Sequence, residues 1–362
     1  MIRVLDDTLF DDPGRLADAD VLGLLRAAAL AGAQVRSTAE AISEIGLDGL
    51  AEGRPRAVVL LARPGVGRGV CRLLTELAGP RFPVPVVVDD ALPAWVGALD
   101  VVFAHTHDGG DHELAEDVAT ATRRGASVVL AVPEEGPVAA AGQGRARLLA
   151  PRVPVPPELS FGYVLAAGLG VFGALGLIDA DLPALADELD REAERAHPNH
   201  ESLSNPAKTV ALRLADRTPL LWGTDELGAA VAEHATFVLA AHAAVSGQHT
   251  SYAQAMTQPA LRRAAASGGT EADLFADPDE SGGAALRVCL VAVSAGDVAE
   301  RREQAAERDF PGSHLVAPAD PVGNDPVARA AVVATRFDFA SVYLGLAAGT
   351  LGGPGWSAMA VR

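Results

Sequence analysis

The fold is indicated by a stretch in the first third of the chain, AVVLLARPGVGRG, which covers residues 57–69. Its first six residues, Ala57 to Ala62, are all apolar, and a short apolar run is typical of a strand buried on both faces of a parallel sheet. A glycine-rich turn follows from Gly65 to Gly69, and a helical pattern then continues to about Leu77. The stretch therefore predicts a strand–turn–helix unit, the repeating element of a parallel α/β sheet.

Similar units follow along the first half of the chain. We predict further strands at 84–88, 100–104 and 127–132, with a helix at 113–124 between the last two. Strands that alternate with helices in this way predict a doubly wound parallel sheet. Such sheets bind ligands at the carboxyl ends of their strands, where the loops around Gly65 and Gly109 would meet.

The rest of the chain predicts a helical connection and a second sheet. The proline-rich segment 151–157 is followed by helical patterns, and Asn205 with Pro206 has the N-cap and first-turn residues of a new helix. Strands are predicted at 218–222, 286–294 and 315–317, a long helix at 326–346, and a mobile loop at 267–284. We expect an N-terminal domain at 1–155, a helical linker at 156–203 and a C-terminal domain at 204–362.

Composition restricts the classes of partner. The 362-residue chain has a net charge of −18, so a nucleic-acid backbone or an anionic membrane would repel it. No uncharged apolar run reaches the length of a membrane span, and the acidic start of the chain is unlike a secretory signal. Cys71 and Cys289 lie in apolar surroundings and predict two buried free thiols. These features predict a cytoplasmic protein.

Several stretches carry a family resemblance. They are NPAKTVALRLADRTPLLWG at 205–223, DFASVYL at 338–344, and PELSFGY at 157–163. In order and spacing they resemble the bifunctional phosphoglucose/phosphomannose isomerases, which are built from two sugar isomerase (SIS) domains. The resemblance implies two flavodoxin-like SIS domains, a hexose 6-phosphate ligand, no cofactor and a homodimer. It also implies aldose–ketose isomerisation, provided that the catalytic groups are present.

The phosphate-binding loop of that family is altered here. Its SGNTEE motif places small hydroxyl residues at a helix N-terminus, where backbone N–H groups and the helix dipole favour an anion. Here the run is His107 to His112, in which the Ser and Thr hydroxyls are absent and Asp108 adds a carboxylate that opposes binding. The family's loop serine falls on Val66, and its arginine in the third stretch falls on Glu158. The candidate sugar-phosphate-binding residues are Gly65, Gly67, Thr106, His107, Gly109, Gly110 and His112.

The catalytic positions also differ. The family uses a Glu, a His about 16 residues later and a Lys near the C-terminus, and no lysine follows Lys208 here. Without gaps, the first two positions fall on Ala241 and Thr257, which cannot transfer protons. A register with a deletion after Gly223 places Glu233 and His249 at the family spacing, so these two residues are the candidate catalytic pair. Lys208 itself is expected to be solvated, while His234 and His242 are expected to be structural.

The expected function is therefore a degenerate SIS protein that binds a sugar phosphate or regulates its metabolism. One alternative is an active isomerase with relocated catalytic groups. Another is a zinc-dependent hydrolase that uses the His/Asp loop HTHDGGDH at 105–112, since imidazole and carboxylate are ordinary zinc ligands. Against zinc, the same loop fits a helix entry that Asp108 or Asp111 caps, and no resident metal is expected.

Overall fold

The computed structural model describes residues 5–51, 54–79, 82–267, 286–319 and 322–351. The chain divides into two compact units, and each contains one parallel sheet. The first unit is Leu30–Glu188, and the second unit combines Met1–Ala29 with Leu189–Arg362. The domain boundaries at 155 and 204 stay a prediction.

The described residues form nine strands and fourteen α-helices. The strands are β1 (Ala57–Ala62), β2 (Val86–Asp89), β3 (Asp100–His105), β4 (Ser127–Ala131), β5 (Arg147–Leu148), β6 (Thr218–Gly223), β7 (Gln248–Ser251), β8 (Leu286–Val291) and β9 (His314–Val316). The helices are α1 (Pro13–Ala19), α2 (Leu24–Ala28), α3 (Ala31–Ile45), α4 (Val66–Ala78), α5 (His112–Arg123), α6 (Pro137–Gly142), α7 (Phe161–Ala174), α8 (Leu182–Arg195), α9 (Pro206–Leu214), α10 (Glu226–Ala243), α11 (Tyr252–Met256), α12 (Pro259–Ser267), α13 (Asp297–Asp309) and α14 (Pro326–Ala347).

The sheet of the first unit confirms the parallel α/β prediction. Its strand order is β2-β1-β3-β4-β5, and all four neighbouring pairs are parallel. Every residue of β1 and β3 is buried, which explains why these strands carry no polar alternation. Because β1 and β3 are neighbours, the loops that begin after Ala62 and His105 start side by side at the carboxyl edge of the sheet.

Helix α7 is a core helix of the first unit, although it was predicted to lie in a linker. It packs against α3 and α4, and the packing is close because three of its residues are glycines at the contacts. A Cβ atom on Gly162 would lie 2.7 Å from the carbonyl oxygen of Ala31, and one on Gly168 would lie 2.3 Å from a methyl carbon of Leu74. An apolar surface on all sides is the pattern of a helix buried on all sides.

The sheet of the second unit has the order β7-β6-β8-β9 and is also parallel. Helix α9 begins as predicted, since the Asn205 side chain accepts hydrogen bonds from the amides of Ala207 and Lys208 at 3.0 Å. Helix α14 packs against α9 and α10. Among the described helices, α14 is the one long and apolar enough to cross a membrane, and its apolar segment is wholly buried inside the protein.

Two details of the second unit differ from the prediction or lie outside the description. His249 was predicted in a loop between helices, but it lies in β7, where it pairs with Leu221 of β6. The predicted mobile loop at 267–284 falls almost entirely on residues outside the described ranges.

Cys71 and Cys289 are buried free thiols, as predicted, and burial raises the pKa of each to about 12.

Candidate functional site

A cavity of about 400 Å³ opens at the carboxyl edge of the first sheet. The ends of β3 and β4 form one wall, α3 forms a second, and the segment from Pro151 to the start of α7 forms a third. Its described lining residues are Gln34, Ser37, His105, Thr106, His107, Pro133, Pro151, Arg152, Val153, Pro154, Val155, Pro157, Ser160 and Tyr163. This is the edge at which doubly wound sheets bind their ligands.

His105 is the buried imidazole of this cavity. Its Nδ1 lies 2.7 Å from the carbonyl oxygen of Ala131, and because a carbonyl only accepts, Nδ1 must carry the proton. The other nitrogen, Nε2, is then the unprotonated one and can accept a hydrogen bond. Burial lowers the pKa of His105 to about 4, with the nearby His107 adding to the effect and the bond to Ala131 opposing it. The ring is therefore neutral at physiological pH.

The glycines of the first loop make room for the two imidazoles. A Cβ atom on Gly67 would lie 2.3 Å from Cδ2 of His105, which is well inside van der Waals contact. A Cβ atom on Gly65 would lie 3.6 Å from Nδ1 of His107, and Gly65 also has a φ of +121°, which L side chains rarely adopt. Gly67 thus packs against His105, and Gly65 lies beside His107 in a conformation that favours glycine.

Buried polar groups hold the opposite wall in place. The Gln34 side chain donates to the Leu159 carbonyl at 2.9 Å and accepts from the Tyr163 amide at 3.1 Å, which joins α3 to the start of α7. The Tyr163 hydroxyl donates to the Leu149 carbonyl at 2.6 Å, and its ring meets that of His105 edge to face. Burial raises the pKa of Tyr163, so the phenol stays protonated.

The loop after β3 is a helix entry, as one of the two interpretations of its His/Asp run proposed. Asp111 is the N-cap of α5, since its carboxylate accepts from the Leu114 amide at 3.0 Å. The same carboxylate accepts from Nε of Arg63 at 2.6 Å. The described residues contain no group of three or more His, Cys, Asp or Glu side chains that could hold a metal ion. The geometry of the described residues therefore gives the zinc-hydrolase hypothesis no support.

The other glycines of this loop serve the packing of neighbouring turns. A Cβ atom on Gly109 would lie 2.4 Å from the carbonyl oxygen of Glu135, in the turn after β4. Gly109 also accepts a hydrogen bond from the Val138 amide at 3.3 Å. Gly110 and His112 are exposed, and neither lines the cavity.

The charge of the cavity differs from that of the chain. None of its described lining side chains is a carboxylate, although the chain as a whole carries a net charge of −18. Arg152 is the one described lining residue with a permanent positive charge. The hydroxyl groups of Ser37, Thr106 and Ser160 also belong to the lining. Those of Ser37 and Ser160 donate to the carbonyls of Gln34 and Pro157, so towards a ligand they can only accept.

Four of the seven predicted binding residues thus lie at or beside one cavity. Thr106 and His107 line the cavity, while Gly65 and Gly67 contact its histidine loop. Sequence reasoning missed Gln34, Ser37 and Arg152, because helix α3 and the segment after Pro151 reach the cavity only through tertiary packing. The four prolines within 151–157 did indicate that this segment of the cavity wall has a restricted backbone, because each proline ring fixes its own φ angle.

The candidate catalytic pair lies in the second unit. Nε2 of His249 in β7 stands 4.0 Å from a carboxylate oxygen of Glu233 in α10, and both side chains are partly exposed, at 35% and 20%. The structure therefore brings together the two residues that the shifted register selected.

The loops that follow β6 and β8 are tied to each other within the second unit. The Asp225 carboxylate accepts from the Gly228 amide at 2.9 Å and from the amides of Val293 and Ser294 at 3.1 Å. The carboxylate thus caps α10 through the Gly228 amide and places a negative charge at this helix N-terminus, which opposes the binding of an external anion there.

The remaining candidates in this unit are structural. His234 Nε2 lies 2.7 Å from the Asp338 carboxylate, and His242 Nδ1 lies 2.9 Å from the Ser341 hydroxyl, which joins α10 to α14 as expected for structural histidines. Lys208 was expected to be solvated, but it is buried. Its ammonium donates to the carbonyls of Phe10, Pro198 and His200, which explains why its charge is tolerated inside the protein.

Comparison with known proteins places the fold. No protein-family model matches the chain, and neither does any curated protein. Solved structures do match over most of its length. A proposed phosphosugar isomerase from Silicibacter pomeroyi is 16% identical, with a TM-score of 0.61 over 89% of this chain and 96% of that one.

Two other solved structures show the same similarity. A hypothetical protein from Thermus thermophilus is 13% identical, with a TM-score of 0.67 over 94% of this chain and 89% of that one. Tagatose-6-phosphate ketose/aldose isomerase from Escherichia coli is 12% identical, with a TM-score of 0.58 over 89% of this chain and 92% of that one. At these identities the similarity establishes a shared fold: the chain has the fold of the SIS-type phosphosugar isomerases.

Proposed function

We propose that this chain is a sugar-phosphate-binding protein of the two-SIS-domain phosphoglucose/phosphomannose isomerase type, and that it has lost rapid isomerisation. In this proposal the two units are the two SIS domains, and the ligand is a hexose 6-phosphate. The protein would act as a cytoplasmic homodimer that senses the ligand or regulates its metabolism. The fold of the structural neighbours supports the ligand class, since tagatose-6-phosphate ketose/aldose isomerase is among them.

The observation that carries the proposal is the cavity without carboxylates around a neutral imidazole. Aldose–ketose isomerisation needs a base whose pKa lies near the working pH, and the family uses a carboxylate. No described lining residue offers one, and His105, with its pKa of about 4, is a weak base. The same neutral ring can accept a hydrogen bond from a sugar hydroxyl, so the geometry favours binding over proton transfer from carbon.

The test combines binding with turnover in the same chelator-treated preparation. Calorimetric titration with fructose 6-phosphate and with fructose measures how much the phosphate contributes to binding. An NMR time course of fructose 6-phosphate then reports glucose 6-phosphate and mannose 6-phosphate. We expect binding that depends on the phosphate and no product above the uncatalysed rate. Rapid formation of either product would refute the loss of activity, and absence of binding would refute the ligand.

A second candidate is an active isomerase that uses Glu233 and His249, and their 4.0 Å separation favours it. A carboxylate and an imidazole at this distance can share the proton transfers of isomerisation once a substrate tightens the geometry. If the time course shows turnover, replacing His249 by Ala and Glu233 by Gln should each abolish it. Unchanged rates in both variants would remove the pair from the mechanism.

A further inference from the structure

The permanent cation of the cavity is held by a carboxylate that does not line the cavity. Nη1 of Arg152 donates to Oε1 of Glu44 at 2.9 Å, and Nη2 donates to Oε2. Glu44 stands near the end of α3, and both side chains are partly exposed, at 41% for Arg152 and 59% for Glu44. This two-bond arrangement is also the one with which a guanidinium binds a phosphate group.

We propose that Glu44 sets the affinity of the cavity for phosphorylated ligands by holding the guanidinium that a phosphate would otherwise bind. The inference rests on the proposed function, because it takes the cavity as the ligand site. Glu44 occupies the Nη1/Nη2 edge of the Arg152 guanidinium, so a phosphate that binds this edge must compete with the carboxylate. No other described lining residue carries a permanent charge that would mask this competition.

The competition is close to balanced because the ion pair is exposed. Exposed pairs between arginine and carboxylate contribute little, since water and salt screen the attraction and ordering two long side chains costs entropy. A phosphate dianion carries more charge than the carboxylate and can therefore displace it. Removing the charge of Glu44 should raise the affinity for a sugar phosphate by about three- to fivefold.

Glu40 provides a matched control on the same helix. Glu44 raises the pKa of Arg152 chiefly through the hydrogen bonds between them, whereas Glu40, one turn earlier, acts through its charge alone. Both changes, Glu44→Gln and Glu40→Gln, remove one negative charge from the neighbourhood. Only Glu44→Gln releases the guanidinium. A general electrostatic effect would therefore raise the affinity equally in both variants, whereas release of Arg152 would raise it in Glu44→Gln alone.

The experiment titrates fructose 6-phosphate and fructose into the full chain and into the variants Glu44→Gln, Glu40→Gln, Arg152→Gln and the double variant of Glu44 and Arg152. We expect Glu44→Gln to tighten binding of the phosphorylated sugar alone, Glu40→Gln to change it by less than about 1.5-fold, and Arg152→Gln to weaken it. In the double variant the Glu44 substitution should have no further effect.

Three outcomes would overturn the inference: unchanged affinity in Glu44→Gln, an equal gain in Glu40→Gln, or a gain that persists without Arg152. Each of these leaves the proposed function standing, because the parent chain still binds the sugar phosphate. Failure of the parent chain to bind it overturns the proposed function together with the inference.

Discussion

Replacing Lys208 by Met removes a buried ammonium and keeps the length of the side chain. Three carbonyl oxygens, those of Phe10, Pro198 and His200, accept hydrogen bonds from Nζ at 2.5–2.7 Å. The ammonium also lies 5.4 Å from the centroid of the Tyr343 ring, within the range of a cation–π contact. The variant therefore leaves three acceptors without their donor.

The size of the effect follows from these contacts. A hydrogen bond to a charged group contributes about 1.5–3 kcal/mol, and the cost of burying the ammonium offsets part of the sum. A buried acceptor that loses its partner costs about 1–3 kcal/mol. With three such carbonyls we expect Lys208→Met to lower the free energy of unfolding by about 3–4 kcal/mol, a large share of the stability of an ordinary domain.

Urea denaturation measures the loss, and Arg213→Met is the matched control. Arg213 lies on the same helix, is exposed, and also loses a cation on substitution, so its effect should stay within about 0.5 kcal/mol. A second readout uses the fact that Lys208 is the only lysine in the chain. Reductive methylation should modify Lys208 far more slowly in the native protein than in the urea-unfolded protein. Equal modification rates, or equal stabilities of the two variants, would refute the buried network.

Two further predictions concern the cavity. Gly67→Ala should displace the His105 ring, lower the free energy of unfolding by about 1–3 kcal/mol and weaken ligand binding. The control is Gly97→Ala, whose Cβ atom would meet nothing within 4 Å, and it should leave both the melting temperature and the titrated affinity unchanged. The pKa of His105 falls from about 6.5 in the unfolded chain to about 4 in the folded protein. Below pH 6.5 the unfolded chain therefore takes up a proton that the folded protein does not, and the free energy of unfolding decreases by about 3 kcal/mol as the pH falls from 6.5 to 4. Urea titrations between pH 4 and 7 should therefore show a shallower pH dependence for His105→Asn than for the parent chain, and an identical dependence would contradict the assignment.

The first sheet could be predicted because its central strands β1 and β3 are buried on both faces. Continuous apolar runs at 57–62 and 101–104 leave few alternatives, and the glycine-rich turn after the first run fixes the start of a helix. Strand β7 gave no such signal, since Gln248–Ser251 is wholly polar and forms only because β6 offers it an edge. Pairing of this kind is a tertiary effect that local propensity does not report.

The role of Lys208 was hidden by the rule that lysine is seldom buried. The composition did contain a signal, since the chain has 29 basic residues of the Lys and Arg types and only one of them is lysine. Three carbonyls converging on one point need a compact cation with three donors, which lysine provides and the planar guanidinium does not. A single lysine that persists in an arginine-rich chain is therefore expected where this geometry is required.

The distribution of charge bears on the choice between binding and catalysis. At physiological ionic strength the field of a surface charge decays over about 8 Å, so the −18 charge of the chain acts on a ligand mainly through groups near the cavity. Two of the acids there are engaged: Asp111 caps α5 and pairs with Arg63, and Glu44 pairs with Arg152. A phosphate would thus meet one releasable guanidinium, while a proton on carbon would meet an imidazole too weakly basic to remove it. The same burial that makes His105 a neutral acceptor makes it a poor catalytic base, and the proposed binding without turnover rests on that environment.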